Sequence, residues 1–182
     1  MPSESQWEAA CRAEEAYSAD APKSPPFHFG ATLDASWARY DATSTYGRGR
    51  RGDYKKRPVP IGFFGLVNRW GLAELHGQLA EWCADQWHRS PIRADQGKRR
   101  GWFGGGVTRQ EVLDGSALEG PDPGLAEVPN EQEMRLLRGG SWINDPVSAR
   151  AAMRDGDHPG SVDSNVGVRP GCFSPPGSLL GP

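Results

Sequence analysis

The side chains best suited to chemistry lie in residues 137–173, where small polar residues follow no helical or strand period. Four of them are potential metal ligands: Asp155, Asp157, His158 and Asp163. Carboxylate oxygens and imidazole nitrogens bind hard or borderline metal ions. One interpretation of this segment is therefore a metal site of an enzyme. The alternative is a hydrated loop, because aspartate, asparagine and serine favour turns.

The cysteines offer little additional chemistry. The cysteines are Cys11, Cys83 and Cys172. Their odd number and wide separation argue against a disulfide framework, and their spacing is not that of a metal site. We expect buried or free thiols.

The polar run needs a support, and the residues on either side of it can provide one. Glycine, tryptophan and valine at residues 138–142 and 166–169 predict short strands and turns, with core contacts from Trp142, Val166 and Val168. We call these two stretches the frame. Loops held by a rigid scaffold are where binding and catalytic residues concentrate.

Composition limits the rest of the molecule. The chain has 182 residues, 24 glycines and 16 prolines, so we expect one domain with little regular secondary structure, in which 7 tryptophans anchor the loops.

A net charge of -2 predicts no general affinity for nucleic acid. No apolar run reaches the ~20 residues of a membrane span and no signal peptide follows Met1, so we expect a cytoplasmic protein.

Several local patterns predict individual elements. Ser3 and Gln6 have capping-box spacing, which predicts a helix that ends near Ala16. Leu72 and Leu75 suggest a short helix, and residues 79–84 a strand. Residues 48–57 are glycine-rich and basic, which is typical of a solvated loop, with binding of a polyanion as the alternative.

Five separated motifs together resemble one family. They are SESQWEAACRA at 3–13, NRWGL at 68–72, HGQLAEWCAD at 76–85, LRGGSW at 137–142 and NVGVR at 165–169. In this order they are similar to the formylglycine-generating-enzyme (sulfatase-modifying factor) type of C-type lectin fold. The resemblance implies an α+β domain over residues 1–173, followed by a Pro/Gly-rich tail at 174–182. Members usually carry further elements before the first motif, so we expect an abridged fold or a fragment.

The resemblance also bears on catalysis and metal binding. The enzyme of this family binds copper through two cysteines, whose positions correspond here to Asn144 and Ala149. Neither residue supplies the thiolate that Cu(I) requires, so we expect a non-catalytic protein that needs no cofactor.

The family's calcium site would correspond to Glu74 and Glu81 with the carbonyls of Gly77 and Leu79, ligands that suit Ca²⁺. The alternative is an exposed Glu74 and a Glu81 that caps a turn.

The polar run itself resembles a diversified segment. The residue types at its non-scaffold positions are all ones that an AAC asparagine codon can encode after changes at its adenines alone. This pattern is similar to that of the variable proteins of diversity-generating retroelements. These variable positions are Ile143, Asn144, Asp145, Val147, Ser148, Asp155, Gly156, Asp157, His158, Ser161, Asp163, Ser164 and Asn165. The resemblance implies a hypervariable surface that binds a protein or cell-surface ligand. An ordinary polar loop, or a metal-dependent oxidase or sulfur-chemistry enzyme with a relocated site, are the alternatives.

Overall fold

A computed structural model describes residues 1–13, 25–87 and 134–171. The predicted tail at 174–182 and Cys172 lie outside the described residues. Regular structure in the described part consists of one helix and four short strands, α1 (Glu4–Arg12), β1 (Ala80–Gln86), β2 (Arg135–Arg138), β3 (Asp155–Asp157) and β4 (Val166–Gly167). Most of the described backbone is turn and loop, as the glycine and proline content predicts.

Helix α1 begins with the predicted capping box. The Ser3 hydroxyl accepts a hydrogen bond from the Gln6 backbone N–H, and the Gln6 side chain accepts one from the Ser3 N–H. The helix ends at Arg12, earlier than the predicted end near Ala16. Ala13 adopts a left-handed conformation and caps the last turn by donating its N–H to Ala9, which terminates the helix.

The strands form one mixed sheet in the order β3-β2-β1-β4. Strand β1 pairs antiparallel with β2, with Glu81 opposite Arg138, and parallel with β4, with Glu81 opposite Gly167. Strand β3 extends the sheet by pairing antiparallel with β2. The two ends of the polar run therefore lie on one sheet, because β2 leads into it and β4 follows it.

The helix predicted around Leu72 and Leu75 is absent from the structure. The Asn68 side chain accepts hydrogen bonds from the N–H groups of Trp70 and Leu72, which turns the chain, and Glu74 has a left-handed φ of 56°. These contacts stabilise a turn in place of a helix.

Two buried clusters form the core of the described residues. The first packs α1 against the sheet through Trp7, Cys11, Leu75, Cys83, Leu136 and Ala151. The second lies among the loops and contains Phe27, Leu33, Ala38, Tyr40, Ala42 and Ala149. Trp7 thus packs against the sheet, whereas Phe27 and Tyr40 anchor the loops. The prediction that tryptophans anchor the loops is wrong for Trp37 and Trp70, which are 39% and 54% exposed.

An ion pair between distant residues fixes the end of the polar run. The Arg169 guanidinium donates to both carboxylate oxygens of Glu81, at 2.7 Å from Nη2 to Oε1 and 2.9 Å from Nε to Oε2. The Glu81 carboxylate also accepts the Trp7 indole N–H at 2.7 Å. One carboxylate therefore joins α1, β1 and the segment after β4.

The predicted core contact of Val168 is wrong, because its side chain is 59% exposed. Strand β4 has only two residues and lies at the sheet edge, so the chain leaves the sheet before Val168. Trp142 and Val166 are half-buried. Among the described residues, no helix is long and apolar enough to cross a membrane.

Candidate functional site

The frame before the polar run is held by backbone contacts with residues 77–78. The Gly77 N–H donates to the Gly139 carbonyl at 2.7 Å, and the Trp142 N–H donates to the Gln78 carbonyl at 3.0 Å. Gly140 has a φ of 65°, and a Cβ at this position would lie 2.7 Å from the Ser148 carbonyl oxygen. Only glycine permits this close approach without strain.

The first half of the variable loop, defined as residues 143–165, is a pair of side-chain-supported turns. Asn144 Oδ1 accepts from the Ser141 N–H at 2.9 Å and from the Ser141 hydroxyl at 2.6 Å. Asp145 Oδ1 accepts from the Ser148 N–H at 3.0 Å and from its hydroxyl at 2.8 Å. These polar side chains shape the loop, so part of their hydrogen-bonding capacity is used within it.

The second half of the variable loop includes β3 and returns to β4. Asp157 Oδ1 accepts from the His158 N–H at 2.7 Å and from the Ser161 hydroxyl at 2.9 Å. The Asn165 carbonyl accepts the Ala80 N–H at 2.9 Å, which attaches the loop's end to the sheet.

Accessibility separates the variable positions from their support. The exposed ones are Ile143, Asp145, Val147, Asp155, His158, Asp163 and Ser164, and the half-buried ones are Asn144, Ser148, Gly156, Asp157, Ser161 and Asn165. None of these positions is buried. By contrast, Pro146, Ala149 and Ala151 between them, and Ser141 before them, are buried. Ala152, Pro159, Gly160 and Val162 are exposed although they are not variable positions. The loop therefore presents the variable positions on an accessible face above a buried row.

Gly156 differs from the other variable positions. A Cβ there would lie 2.4 Å from the ring of Trp87, so any larger residue requires Trp87 to move. The sequence pattern alone gave no indication of this contact.

A buried histidine supports the loop from below. His76 is 2% exposed; its Nε2 accepts the His28 N–H at 3.0 Å, so its Nδ1 is the donor to the Ala149 carbonyl at 2.8 Å. Burial lowers the pKa of His76 to about 3, which keeps the ring neutral. Sequence reasoning used His76 only as a motif residue and missed this role, which pairs it with a residue far along the chain.

The structure provides no thiol at the family's copper positions. Ala149 is 1% exposed, and the Asn144 side chain is bonded to Ser141. Cys11 and Cys83 are both free and buried, as predicted. Burial raises the pKa of Cys11 to about 12 and also raises that of Cys83, so both are protonated thiols near neutral pH.

The potential ligands of the relocated metal site do not converge. In residues 1–13, 25–87 and 134–171 no group of three or more His, Cys, Asp or Glu side chains is placed to hold a metal ion. This includes Asp155, Asp157, His158 and Asp163, three of which are exposed and one half-buried.

The residues of the predicted calcium site have other contacts. Both oxygens of Glu81 are bonded to Arg169, and Glu74 Oε1 accepts the Gly62 N–H at 2.6 Å. Gly77 and Leu79 lie in the turn before β1. A calcium ion would have to compete with Arg169 for Glu81, and the site stays a prediction.

An aromatic stack enlarges the accessible face. The ring of Tyr54 stacks on Trp142 with centroids 6.2 Å apart and an interplanar angle of 27°, and the Lys56 Nζ lies 5.8 Å from the Tyr54 centroid. Trp142 also donates its indole N–H to the Ser164 carbonyl at 3.3 Å. The basic segment 48–57 thus adjoins the variable loop, which its sequence did not indicate.

The motifs in the fold have a counterpart in a known family. Residues 1–170 match the model of the sulfatase-modifying factor enzyme 1-like domain. The chain belongs to this family. Its mixed sheet with a single helix in the described residues confirms the predicted α+β class and the C-type lectin fold of this subtype.

Solved structures of the family's fold superpose on most of the chain. Variable protein 1 of Treponema denticola is 20% identical with a TM-score of 0.52, over 92% of this chain and 45% of its own. PvdO of Pseudomonas aeruginosa is 22% identical with a TM-score of 0.54, over 92% of this chain and 50% of its own. At these identities the similarity shows the fold alone.

Curated relatives include an oxygenase and protein kinases. Hercynine oxygenase of Mycobacterium tuberculosis is 25% identical over 93% of this chain and 31% of its own length. Serine/threonine-protein kinase pkn1 of Chlamydia caviae is 28% identical over 57% of this chain and 13% of its own. The chain therefore spans less than a third of the length of either relative.

Proposed function

We propose that the variable loop is a non-catalytic ligand-binding surface, displayed on a sulfatase-modifying factor-like scaffold and diversified by a retroelement. The observation that carries the proposal is that none of the variable positions is buried, whereas Pro146, Ala149 and Ala151, which lie between them and support the loop, are buried. Such an arrangement allows the surface to change while the core contacts stay the same.

The chemistry of the face suits recognition of a macromolecule. Ile143 and Val147 are 41% and 42% exposed, which places apolar side chains beside aspartates and serines. Mixed apolar and small polar side chains form adaptable binding surfaces, as antibody loops do. The ligand that we propose is either a protein or a cell-surface molecule.

The absence of a thiol at positions 144 and 149 supports a binding role over the family's copper chemistry. The Asn144 side chain stabilises a turn by accepting the Ser141 N–H, and the Ala149 carbonyl accepts a hydrogen bond from His76. The similarity to hercynine oxygenase makes an enzyme the second candidate. That candidate needs metal ligands that the described residues do not bring together.

Sequencing the genomic locus tests the proposal. We expect a near-identical template repeat with adenines at the codons of the variable positions, and a reverse-transcriptase gene nearby. A locus with neither would contradict diversification. Metal analysis of the purified protein tests the enzyme candidate, which predicts stoichiometric copper or iron.

The calcium site is a separate proposal. If Glu74, Glu81 and the carbonyls of Gly77 and Leu79 hold Ca²⁺, calcium raises the melting temperature of the wild-type protein. It would have no such effect on Glu74→Gln. Equal melting temperatures of the wild type with and without calcium would exclude the site.

A further inference from the structure

The described residues contain a pair of arginines without an acidic partner, next to exposed aromatic rings. Arg39 and Arg57 form no salt bridge in the described part of the chain. The Nε of Arg39 is buried and has no hydrogen-bond partner. An unpaired buried donor on a charged group is unfavourable, so an anion at this position would stabilise it.

Aromatic rings form the wall of this site. The Arg39 guanidinium carbon lies 6.0 Å from the Phe63 centroid and 5.8 Å from the Phe64 centroid. The two rings pack edge to face at 5.1 Å. Phe63 is 60% exposed, which leaves apolar surface next to the guanidinium open to a ligand.

The positive charge of Arg57 acts on Arg39. Burial lowers the pKa of Arg39, and the positive charge of Arg57 lowers it further. Neighbouring like charges without a counter-charge repel each other, and a bound anion removes this repulsion.

Gln78 joins the backbone of Arg39 to that of Val59, two residues after Arg57. Its N–H donates to the Arg39 carbonyl at 2.7 Å, and its side-chain oxygen accepts the Val59 N–H at 3.0 Å. The Gln78 carbonyl also accepts the Trp142 N–H. Gln78 therefore links the segments of the two arginines to each other and to the frame of the variable loop.

We propose that Arg39, Arg57, Phe63 and Phe64 form a binding site for a carboxylate next to an apolar group, as presented by an acidic segment of a protein partner. Guanidinium groups pair with carboxylates in bidentate geometry and pack on aromatic faces. Ile61, two residues before Phe63, is 91% exposed and adds apolar surface to this segment. Aromatic residues and arginine together are the composition of protein-binding hot spots.

A polyanion is less well matched to this site. Nucleic acids and sulfated polysaccharides gain affinity from many cations along a surface. Two of the six cationic residues at 48–57, Arg50 and Lys55, already pair with Asp34 and Asp53 and are therefore less available to such a ligand. The apolar surface around Phe63 would remain unused by such a ligand.

Titration with a small probe tests the site directly. We would follow the Nε–H resonance of Arg39 by NMR while adding N-acetyl-Phe-Glu-amide, with N-acetyl-Phe-Gln-amide as the neutral probe. We expect a saturable shift with the glutamate probe only. Arg57→Gln should weaken its binding by about tenfold, because a charge-assisted hydrogen bond is lost.

Arg48→Gln is the matched control, since Arg48 is an exposed arginine of the same segment. We expect its affinity for the probe to equal that of the wild type. Equal shifts from both probes, no saturable shift, or equal losses in Arg48→Gln and Arg57→Gln would overturn the proposal. Stronger binding of a heparin tetrasaccharide than of the glutamate probe would assign the site to a polyanion. None of these results depends on residues 143–165, so the proposed function is tested separately.

Discussion

At the scale of single residues, the most consequential side chain beneath the loop is His76. It is buried and neutral, with its pKa lowered to about 3 by burial, and it donates to the Ala149 carbonyl. The unfolded chain takes up a proton near pH 6.5, whereas the folded chain resists protonation. Stability is therefore fully present above about pH 6.5 and is lost as the pH falls towards about 3.

This predicts a steep pH dependence of the free energy of unfolding. Between pH 6 and pH 4.5 we expect it to fall by up to about 1.4 kcal/mol per pH unit through His76 alone. Urea unfolding at several pH values measures the slope. His76→Gln should be less stable at pH 7 and have a flatter slope, whereas the exposed control His158→Gln should keep the slope. A wild-type slope equal to that of His76→Gln would refute this role.

A second prediction concerns the ion pair of Glu81 and Arg169. The side chains are 9% and 29% exposed, so removing one partner leaves a poorly solvated charge. We expect Glu81→Gln to lower the free energy of unfolding by about 3 kcal/mol. A double-mutant cycle with Arg169→Gln should show coupling of at least about 1 kcal/mol. Additive effects of the two substitutions would contradict direct coupling.

Glu81 and Arg169 show which properties of single residues could be predicted from the sequence. The motifs identified Glu81 and Arg169 as fold markers, but their contact joins residues 88 positions apart. Local spacing carries no information about such a pair. The bond from His76 to Ala149 was missed for the same reason.

At the scale of elements, local signals predicted α1 and β1 because their determinants are close in sequence. The capping box lies within four residues of the helix start, and the apolar and aromatic residues of β1 are contiguous. The short helix expected at Leu72 and Leu75 failed because the Asn68 side chain, outside the apolar pattern, turns the backbone. The position of Tyr54 on Trp142 was equally inaccessible, since it depends on how two loops meet.

A third prediction concerns the close backbone approach at Gly77, in the turn before β1. Its φ is 80°, and a Cβ would lie 2.3 Å from the Arg39 carbonyl oxygen; Gly71 has a similar φ of 77° but nothing within 4 Å. We expect Gly71→Ala to cost about 1 kcal/mol from backbone strain alone. Gly77→Ala should cost at least about 2 kcal/mol more, since an overpacked site adds its own penalty. Thermal and urea unfolding of both variants measure the difference, and equal losses would exclude the steric contribution.

At the scale of the whole molecule, the domain combines a small sheet and one described helix with loops anchored by buried aromatic and histidine side chains. The family and fold class were predictable because the ordered motifs are spread over most of the chain. Which variable positions are free to change was not predictable. That property depends on burial, on the turn at Asn144 and on the contact of Gly156 with Trp87.

The measurement that tests the central claim most directly is a folding selection on a library of the loop. Each variable position would be replaced singly by all residues whose codons derive from AAC through changes at its adenines. The frame positions Gly140 and Ser141 and the buried Ala149 would be replaced in the same way. Displayed variants would then be sorted by resistance to protease, which reports the stability of the fold.

We predict that Ile143, Val147, His158, Asp163 and Ser164 accept nearly all of these residues, with changes within about 0.5 kcal/mol, as exposed positions do. Gly140, Ser141 and Ala149 should reject most of them, and Gly156 should reject large residues. If the exposed positions instead reject substitutions as strongly as Ser141 and Ala149 do, the loop is not a replaceable surface.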